Sequence, residues 1–247
     1  MCPHLLKESF GMTSNKQYKK CHLSREEQQP LTIGEILSVR RRIYSQESCL
    51  HAGVQKNCDG RIVRAHTIQR NGGLSKIALN GHVISLKLEE PPRSPTPEVT
   101  PILLGIKKAS IFTGFFSYHD TSIFSPIENF DFQKNQEHTF LLAYRAFCKE
   151  YYLKQANLKE IALYRQRDRG KDLFIQVSHQ FQVDGYEEGV RASLREFKYY
   201  KDLYDKAFRR NDYSEVNYYI VSTSVTPDFL CSGAFLLEVI PKLSLSK

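Results

Sequence analysis

Cysteine and histidine side chains recur in the first half of the chain in a pattern that could bind zinc. Cys49 and Cys58 have eight residues between them, and turn-forming residues lie beside both. Tetrahedral zinc needs thiolates and imidazoles that converge, and turns beside the ligands allow short loops to achieve this. His119 in FFSYHD would be a third ligand, and His82 or His51 would complete the set. The alternative is that the two cysteines are small buried thiols beside a hairpin.

A second group of residues could hydrolyse a phosphodiester. His66 in RAHTIQR ends a β-rich run, and an imidazole is a suitable general base near neutral pH. Asp120 follows His119 directly, and a carboxylate is a suitable ligand for Mg²⁺. Alternatively, His66 is packed in a hairpin with both nitrogens satisfied, and Asp120 caps the N-terminus of a helix. Glu128 is expected to be a solvated helix residue.

The elements that must position these residues alternate between short strands and helices. Residues 31–47 are predicted to form a short helix, because Thr32 and Glu35 have capping-box spacing. RIVRAHTIQ and GHVISLKL are predicted to be the two strands of a hairpin, with GGLSKIAL between them as a turn or short helix. Residues 89–101 contain five of the ten prolines, which indicates a stiff, extended insertion. IKKASIFTGFF is a further predicted strand that leads through SYHD into a helix.

The second half of the chain is predominantly helical by pattern. Residues 134–165 carry an apolar stripe through positions 141, 142, 146, 147 and 153, on which Cys148 is expected to be a core residue. Residues 186–210 are predicted to form another long helix. VNYYIVSTSV and GAFLLEVIPKL alternate like the strands of a C-terminal β-hairpin. Residues 1–30 have no clear periodicity and are predicted to be a flexible N-terminal arm.

Composition and charge limit the class of protein. The chain has 247 residues, of which 41% are hydrophobic, and this is typical of a globular protein. No apolar run long enough for a membrane span and no signal peptide is recognised, so a cytoplasmic location is expected. Six cysteines at irregular spacing do not indicate a disulfide framework.

The net charge of +8 favours a polyanionic partner such as DNA or RNA. Clusters of Lys and Arg lie beside Tyr or Phe, and guanidinium groups bind phosphates while aromatic rings stack on bases. The alternative is a mildly basic surface without this role. The arginines selected as candidate contacts to nucleic acid are Arg40, Arg41, Arg42, Arg61, Arg64 and Arg70.

Together, the cysteine pair, the strand histidine and the knuckle before a helix resemble the HNH endonucleases over about residues 45–130. That family has a ββα-metal core, often built on a zinc-binding treble clef. The resemblance implies that His66 is the general base, that Asn80 in LNGHV orients it, and that Asp120 helps to hold a catalytic Mg²⁺ or Mn²⁺. It also implies a structural zinc ion on the cysteine and histidine ligands Cys49, Cys58, His82 and His119.

The sequence departs from the HNH pattern at two positions. Ala65 precedes the histidine base, where the family usually has Asp, Glu or His, and Phe116 replaces a zinc ligand. The segments RAHTIQ, GHV and HDxxIFxPIE are also similar to segments shared by a group of bacterial proteins. That similarity implies no function by itself. A toxin-like effector of bacterial defence is a third expectation, which the resemblance alone suggests.

The fold class expected from these patterns is α+β. Residues 1–30 form the arm, residues 31–130 form an HNH-like module with the proline-rich insertion 89–101, and residues 131–247 form a helical region that ends in a β-hairpin. The expected function is nucleic-acid binding with metal-dependent phosphodiester hydrolysis. The alternative is a non-catalytic zinc or pseudo-zinc module that binds a partner protein or nucleic acid.

Overall fold

The chain folds as an α+β protein, as its patterns predict. A computed structural model describes residues 24–53, 60–89 and 98–235. Within these ranges, five α-helices accompany two separate sheets, each of two antiparallel strands. The elements are α1 (Ile33–Tyr44), β1 (Ile62–His66), a π-helical segment (Arg70–Leu74), α2 (Ser75–Ile77), β2 (His82–Glu89), β3 (Glu98–Gly105), β4 (Ile111–Phe116), α3 (Ser117–Asn129), α4 (Gln136–Tyr164) and α5 (Leu173–Arg210).

Strand β1 carries His66 at its end and pairs with β4. The antiparallel register sets Ala65 opposite Phe112 and His66 opposite Ile111. Ala65 and Phe112 are buried, and α3 begins at Ser117, directly after β4. The prediction that GHVISLKL is the partner of β1 is therefore wrong. The aromatic side chains of β4 fill the core beside β1, so a strand that is distant in the sequence takes the place of the nearer one.

Strands β2 and β3 form a separate two-stranded sheet. The prediction that residues 89–101 are an insertion without secondary structure is wrong for its last four residues. Residues 98–101 belong to β3, and Pro101 lies opposite Leu86 of β2. Proline is tolerated here because each strand of a two-stranded sheet has one edge that pairs with no other strand. Residues 90–97, the remainder of the insertion, lie outside the described residues.

The long helices α4 and α5 pack against each other through aromatic side chains. Phe147 stacks on Phe197 at 5.2 Å between ring centroids, and Phe140 contacts Tyr204 at 5.6 Å. Cys148 is fully buried in this core, which confirms the prediction. The predicted long helix is present, but α5 begins at Leu173 rather than near residue 186. The buried face in the first half of α5 includes Gln176 and Gln180, while Phe174 and Phe181 are exposed, so the apolar residues there do not mark the buried face.

Helix α1 confirms the predicted N-terminal signal. The Thr32 hydroxyl accepts from the Glu35 amide, and the Glu35 carboxylate accepts from the Thr32 amide, so both halves of the capping box form. Helix α1 then packs against α4 through its buried Ile43 side and a polar contact from Tyr44 to Asn157 and Glu160.

The two ends of the described chain differ from their predicted states. Within residues 24–30 of the predicted arm, Arg25 is buried and pairs with Asp168 at 2.5 Å. A buried ion pair of this kind fixes the segment to the turn that follows α4. Residues 216–225 contain no strand, so the first half of the predicted C-terminal hairpin is wrong. Its second half lies largely beyond residue 235, outside the described residues.

Candidate active site

His66 is held at the end of β1 by a hydrogen bond from one nitrogen of its ring. Nε2 lies 3.1 Å from the carbonyl oxygen of Ile106. A carbonyl oxygen can only accept, so Nε2 must carry the hydrogen, and a neutral ring then has its lone pair on Nδ1. Burial lowers the pKa of His66, and this outweighs the opposite effects of the carbonyl and of Glu128. A half-buried, neutral imidazole with a lone pair on Nδ1 is suitable as a general base.

Asp120 lies in the first turn of α3, where one of its oxygens is buried. Among the described residues, nothing donates a hydrogen bond to Oδ1 of Asp120. Burial raises the pKa of this carboxyl, while the positive charge of Arg145 acts in the opposite direction. The helix begins at Ser117 with Phe116 at the N-cap position, so Asp120 is not the cap that the alternative interpretation expected. A buried acceptor oxygen without a donor fits a ligand such as a cation.

Glu128 on α3 and Arg145 on α4 form an ion pair, although the sequence pattern did not select either of them as a site residue. Arg145 is 1% exposed, its Nη1 lies 2.5 Å from Oε1 of Glu128, and its guanidinium lies 4.2 Å above the Phe124 ring. The charges of both residues act on His66 and on Asp120. Glu128 is therefore paired with a buried arginine and is not simply solvated. The spacing of Asp120, Phe124 and Glu128 puts them on one helix face and could have indicated this cluster.

A second cluster brings Cys49, His51 and His119 together. His119 is buried, and its Nδ1 lies 3.2 Å from the Sγ atom of Cys49. The rings of His51 and His119 stack at 4.1 Å between centroids. Two ligands of one tetrahedral zinc ion, with Zn–S about 2.3 Å and Zn–N about 2.0–2.1 Å, would be about 3.5 Å apart. The Cys49–His119 pair therefore has a separation close to that of two zinc ligands.

The other residues of the predicted zinc set have different positions. Cys58 lies outside the described residues. His82 is exposed on β2, where its Nδ1 lies 2.8 Å from the carbonyl oxygen of Asn80. No described contact joins His82 to Cys49 or His119. In the part of the chain that the structure describes, no group of three or more His, Cys, Asp or Glu side chains is arranged to hold a metal ion.

Helices α4 and α5 support the loop that carries Cys49 and His51. The hydroxyl of Tyr144 donates to the Leu50 carbonyl at 3.2 Å, and Arg209 donates to the Ala52 carbonyl at 3.2 Å. The edge of the Phe208 ring meets His51 at 5.6 Å between centroids. The loop is thus positioned by residues that lie about a hundred positions or more away in the sequence.

Asn80 is connected to His66 through backbone atoms. Asn80 and Gly81 both have positive φ, of 50° and 72°, and form a tight turn that links Leu79 to His82. The amide of Ile106 donates to the Gly81 carbonyl at 3.0 Å, and the Ile106 carbonyl accepts from His66. Ile106 thus links the Asn80–Gly81 turn to His66 through its backbone, and no described contact joins the Asn80 side chain to His66.

The candidate nucleic-acid contacts are in different environments. Arg40 pairs with the buried Glu160 at 2.7 Å, which is a structural contact. Arg41 and Arg42 are exposed on α1. Arg61, which directly precedes β1, and Arg64, which lies within β1, are also exposed. Arg70, the remaining candidate, is half-buried, and its Nε donates a hydrogen bond to the side chain of Asn71.

Similarity to known proteins does not assign this chain to a family. No protein-family model matches it, and neither a curated protein nor a solved structure does. Across the described ranges, no helix is both long and apolar enough to span a membrane. Function is therefore inferred from the geometry of the residues themselves.

Proposed function

We propose that the protein is a metal-dependent nuclease of the HNH type, in which His66 is the general base. The observation that carries this proposal is the bond from Nε2 of His66 to the Ile106 carbonyl. It fixes the tautomer and leaves Nδ1 to accept a proton from water. The lowered pKa keeps the ring neutral at neutral pH, as a base requires.

The arrangement of β1, β4 and α3 supports a ββα-metal type of site. An antiparallel strand pair carries the base at the end of its first strand, and a helix follows its second strand directly. Asp120 in the first turn of that helix has the buried, unpartnered oxygen that would serve as a metal ligand. A divalent cation bound there would neutralise charge that develops on the phosphate.

In this proposal, different residues act as the general base, as the ligand of the catalytic metal and as ligands of a structural zinc ion. His66 would take a proton from the attacking water through Nδ1, while Ile106 holds the ring in place. Asp120 would bind Mg²⁺ or Mn²⁺, both of which prefer oxygen ligands. Cys49 and His119 would bind a structural zinc ion, together with Cys58, because their separation is close to that of two zinc ligands.

A non-catalytic module that binds nucleic acid or a protein is the second candidate function. Ala65 is 1% exposed and packs in the core, so the strand provides no metal ligand beside His66. The ring of Phe116 lies 6.2 Å from that of His119, at the position of a zinc ligand in the HNH pattern. These two residues favour a site that retains the fold of a nuclease without its full set of ligands.

Cleavage assays on matched histidine variants test the nuclease proposal. We expect His66→Ala to reduce the cleavage rate by about two to four orders of magnitude, because a general base acts in the transition state. His179→Ala is the matched control, since Nε2 of His179 also bonds a backbone carbonyl, that of Tyr164, at 2.8 Å in the helical region. Plasmid DNA, single-stranded DNA and RNA are incubated with chelator-treated protein, with and without Mg²⁺ or Mn²⁺.

The same assay has two further readouts. Asp120→Asn should abolish cleavage at low metal concentration, because it removes a charged ligand from the cation. The wild-type rate should persist below pH 6.5, the ordinary pKa of histidine, since the pKa of His66 is lowered. If no nucleic acid is cleaved under any metal condition while binding is retained, the non-catalytic function is correct.

A further inference from the structure

Strands β2 and β3 carry apolar side chains on the face of their sheet that points away from the protein core. Val83 and Leu104 lie opposite each other and pack in a small core with Leu74. Successive side chains of a strand point to opposite faces, so the next pair, Ile84 and Leu103, points outward. The exposed apolar residues of this outer face are Ile84, Leu86, Val99, Pro101 and Leu103. An outward face is normally polar, and an exposed apolar patch marks a contact with another molecule.

The hydrogen bonds at the base of this sheet show which backbone groups of β2 point away from β3. The Ile106 amide donates to the Gly81 carbonyl at 3.0 Å, so these two residues form a hydrogen-bonded pair. Hydrogen-bonded and non-hydrogen-bonded pairs alternate along antiparallel strands. The backbone N–H and C=O groups of Ile84 and Leu86 therefore point to the open edge of β2. Among the described residues, no strand pairs with them there.

The open edge of β3 differs from that of β2 because it contains a proline. Pro101 lies opposite Leu86, which is a non-hydrogen-bonded pair in the same alternation, so its nitrogen points to the open edge of β3. That nitrogen has no hydrogen to donate, and a proline on an edge strand prevents pairing with a further strand. The β2 edge can therefore accept one more strand, whereas the β3 edge cannot.

We propose that the β2 edges of two copies of the chain pair antiparallel and form a four-stranded sheet, independently of the proposed nuclease function. The β2 edge fits an extended strand with apolar side chains at every second position, and β2 is itself such a strand. Two identical antiparallel strands are related by a two-fold axis, so the contact closes with two copies. The blocked β3 edge stops the sheet from growing further.

The charges along β2 are compatible with this contact. The chain has a net charge of +8, so two copies repel each other unless the contact surface is free of like charges. With the two-fold axis at Leu86, the exposed Lys87 lies opposite Ser85 of the second copy, and no two lysines meet. The strand has only eight residues, fewer than the roughly 20–30 residues a side of a standard interface. We therefore expect a dimer that dissociates at about micromolar concentration.

Sedimentation velocity on the full chain, from about 1 to 200 μM, tests the proposal. We expect wild-type protein to change from monomer to dimer over this range. Leu86→Lys should weaken the dimer about tenfold or more, because it sets two ammonium groups opposite each other. Leu103→Lys is the matched control, since Leu103 is 71% exposed and Leu86 is 72% exposed on the same face, but Leu103 lies on β3. Leu86→Pro should also give a monomer, because it removes an outward N–H and no hydrogen bond to β3.

The outcomes distinguish pairing of the β2 edges from other contacts. Loss of the dimer in Leu86→Lys but not in Leu103→Lys supports the proposal. Equal loss in both lysine variants would mean that the apolar faces stack, and it would overturn edge pairing. A wild-type monomer at every concentration would overturn it too. Circular dichroism checks the fold of each variant, and if Leu86→Pro does not fold, the two lysine variants carry the test.

Discussion

At the scale of single residues, the hydrogen bond made by one nitrogen of a neutral imidazole determines whether the other nitrogen is a donor or an acceptor. A neutral imidazole has one donor and one acceptor nitrogen. His66 donates from Nε2 to a carbonyl, which leaves Nδ1 as the acceptor. His119 directs Nδ1 to the sulfur of Cys49 at 3.2 Å, which is the distance of a thiol–imidazole hydrogen bond. His82 is exposed and contacts the backbone of Asn80. Three histidines in one module thus have three different environments.

The Cys49–His119 pair leads to a prediction about zinc. We expect about one equivalent of zinc to copurify with the protein, and Cys49→Ser to lower both the zinc content and the unfolding temperature, because metal binding contributes folding free energy. Cys231→Ser is the control, since Cys231 is exposed and far from the cluster in the sequence. Metal content is measured by plasma emission and stability by thermal unfolding.

Two results would contradict the zinc prediction. Wild-type protein without metal that unfolds at the same temperature before and after chelator treatment would mean that the cluster is a packed thiol–imidazole contact. An equal loss of zinc in Cys49→Ser and Cys231→Ser would mean that the metal is bound elsewhere. Cys58→Ser extends the test to the cysteine that the described residues do not include.

At the scale of elements, the long helices position the first half of the chain. Lys201 and Asp205 of α5 are buried or half-buried and meet the hydroxyl of Tyr144 on α4, at 3.3 Å and 2.9 Å. The same hydroxyl lies 3.2 Å from the Leu50 carbonyl beside Cys49, so its one hydrogen is shared between this carbonyl and the Asp205 carboxylate. One phenol group therefore connects both helices to the loop of the thiol–imidazole cluster.

Removing the Tyr144 hydroxyl tests this connection. We expect Tyr144→Phe to reduce the free energy of unfolding by about 1–3 kcal/mol, because the Leu50 carbonyl and the Asp205 carboxylate both lose a buried donor. Tyr199→Phe is the control, since Tyr199 is 61% exposed. Urea unfolding followed by circular dichroism gives both values. Equal stability of the two variants would mean that the hydroxyl does not support the loop.

How much of this could be predicted depends on how local each signal is. The capping box of α1 and the apolar stripe around Cys148 are set by residues within a few turns, and both are confirmed. The pairing of β1 with β4 depends on burying Phe112 against Ala65, which no local pattern reveals. The Arg145 contact with Glu128 crosses two helices and was missed for the same reason.

At the scale of the whole molecule, the positive charge is not equally available to a partner. The net charge is +8, but part of it is used in the fold. Arg40 pairs with the buried Glu160, and Arg25 with the buried Asp168. Reversing charge at Arg40 would therefore disturb the packing of α1 on α4 before it affected binding. Arg61 and Arg64 are exposed at and near the start of the strand that carries the proposed base.

The last prediction concerns nucleic-acid binding by this strand. We expect affinity for DNA or RNA to fall steeply as salt rises, because each neutralised phosphate releases counterions. Arg61→Glu with Arg64→Glu should weaken binding and reduce the slope of log K against log salt by about 0.9 for each phosphate of duplex DNA that is no longer neutralised. Lys206→Glu with Arg210→Glu makes the same change in net charge on the last turns of α5, where both residues are exposed. Fluorescence anisotropy at several salt concentrations gives affinity and slope. If both double variants weaken binding equally, net charge and not the β1 surface attracts the nucleic acid, and affinity that is independent of salt would favour a protein partner.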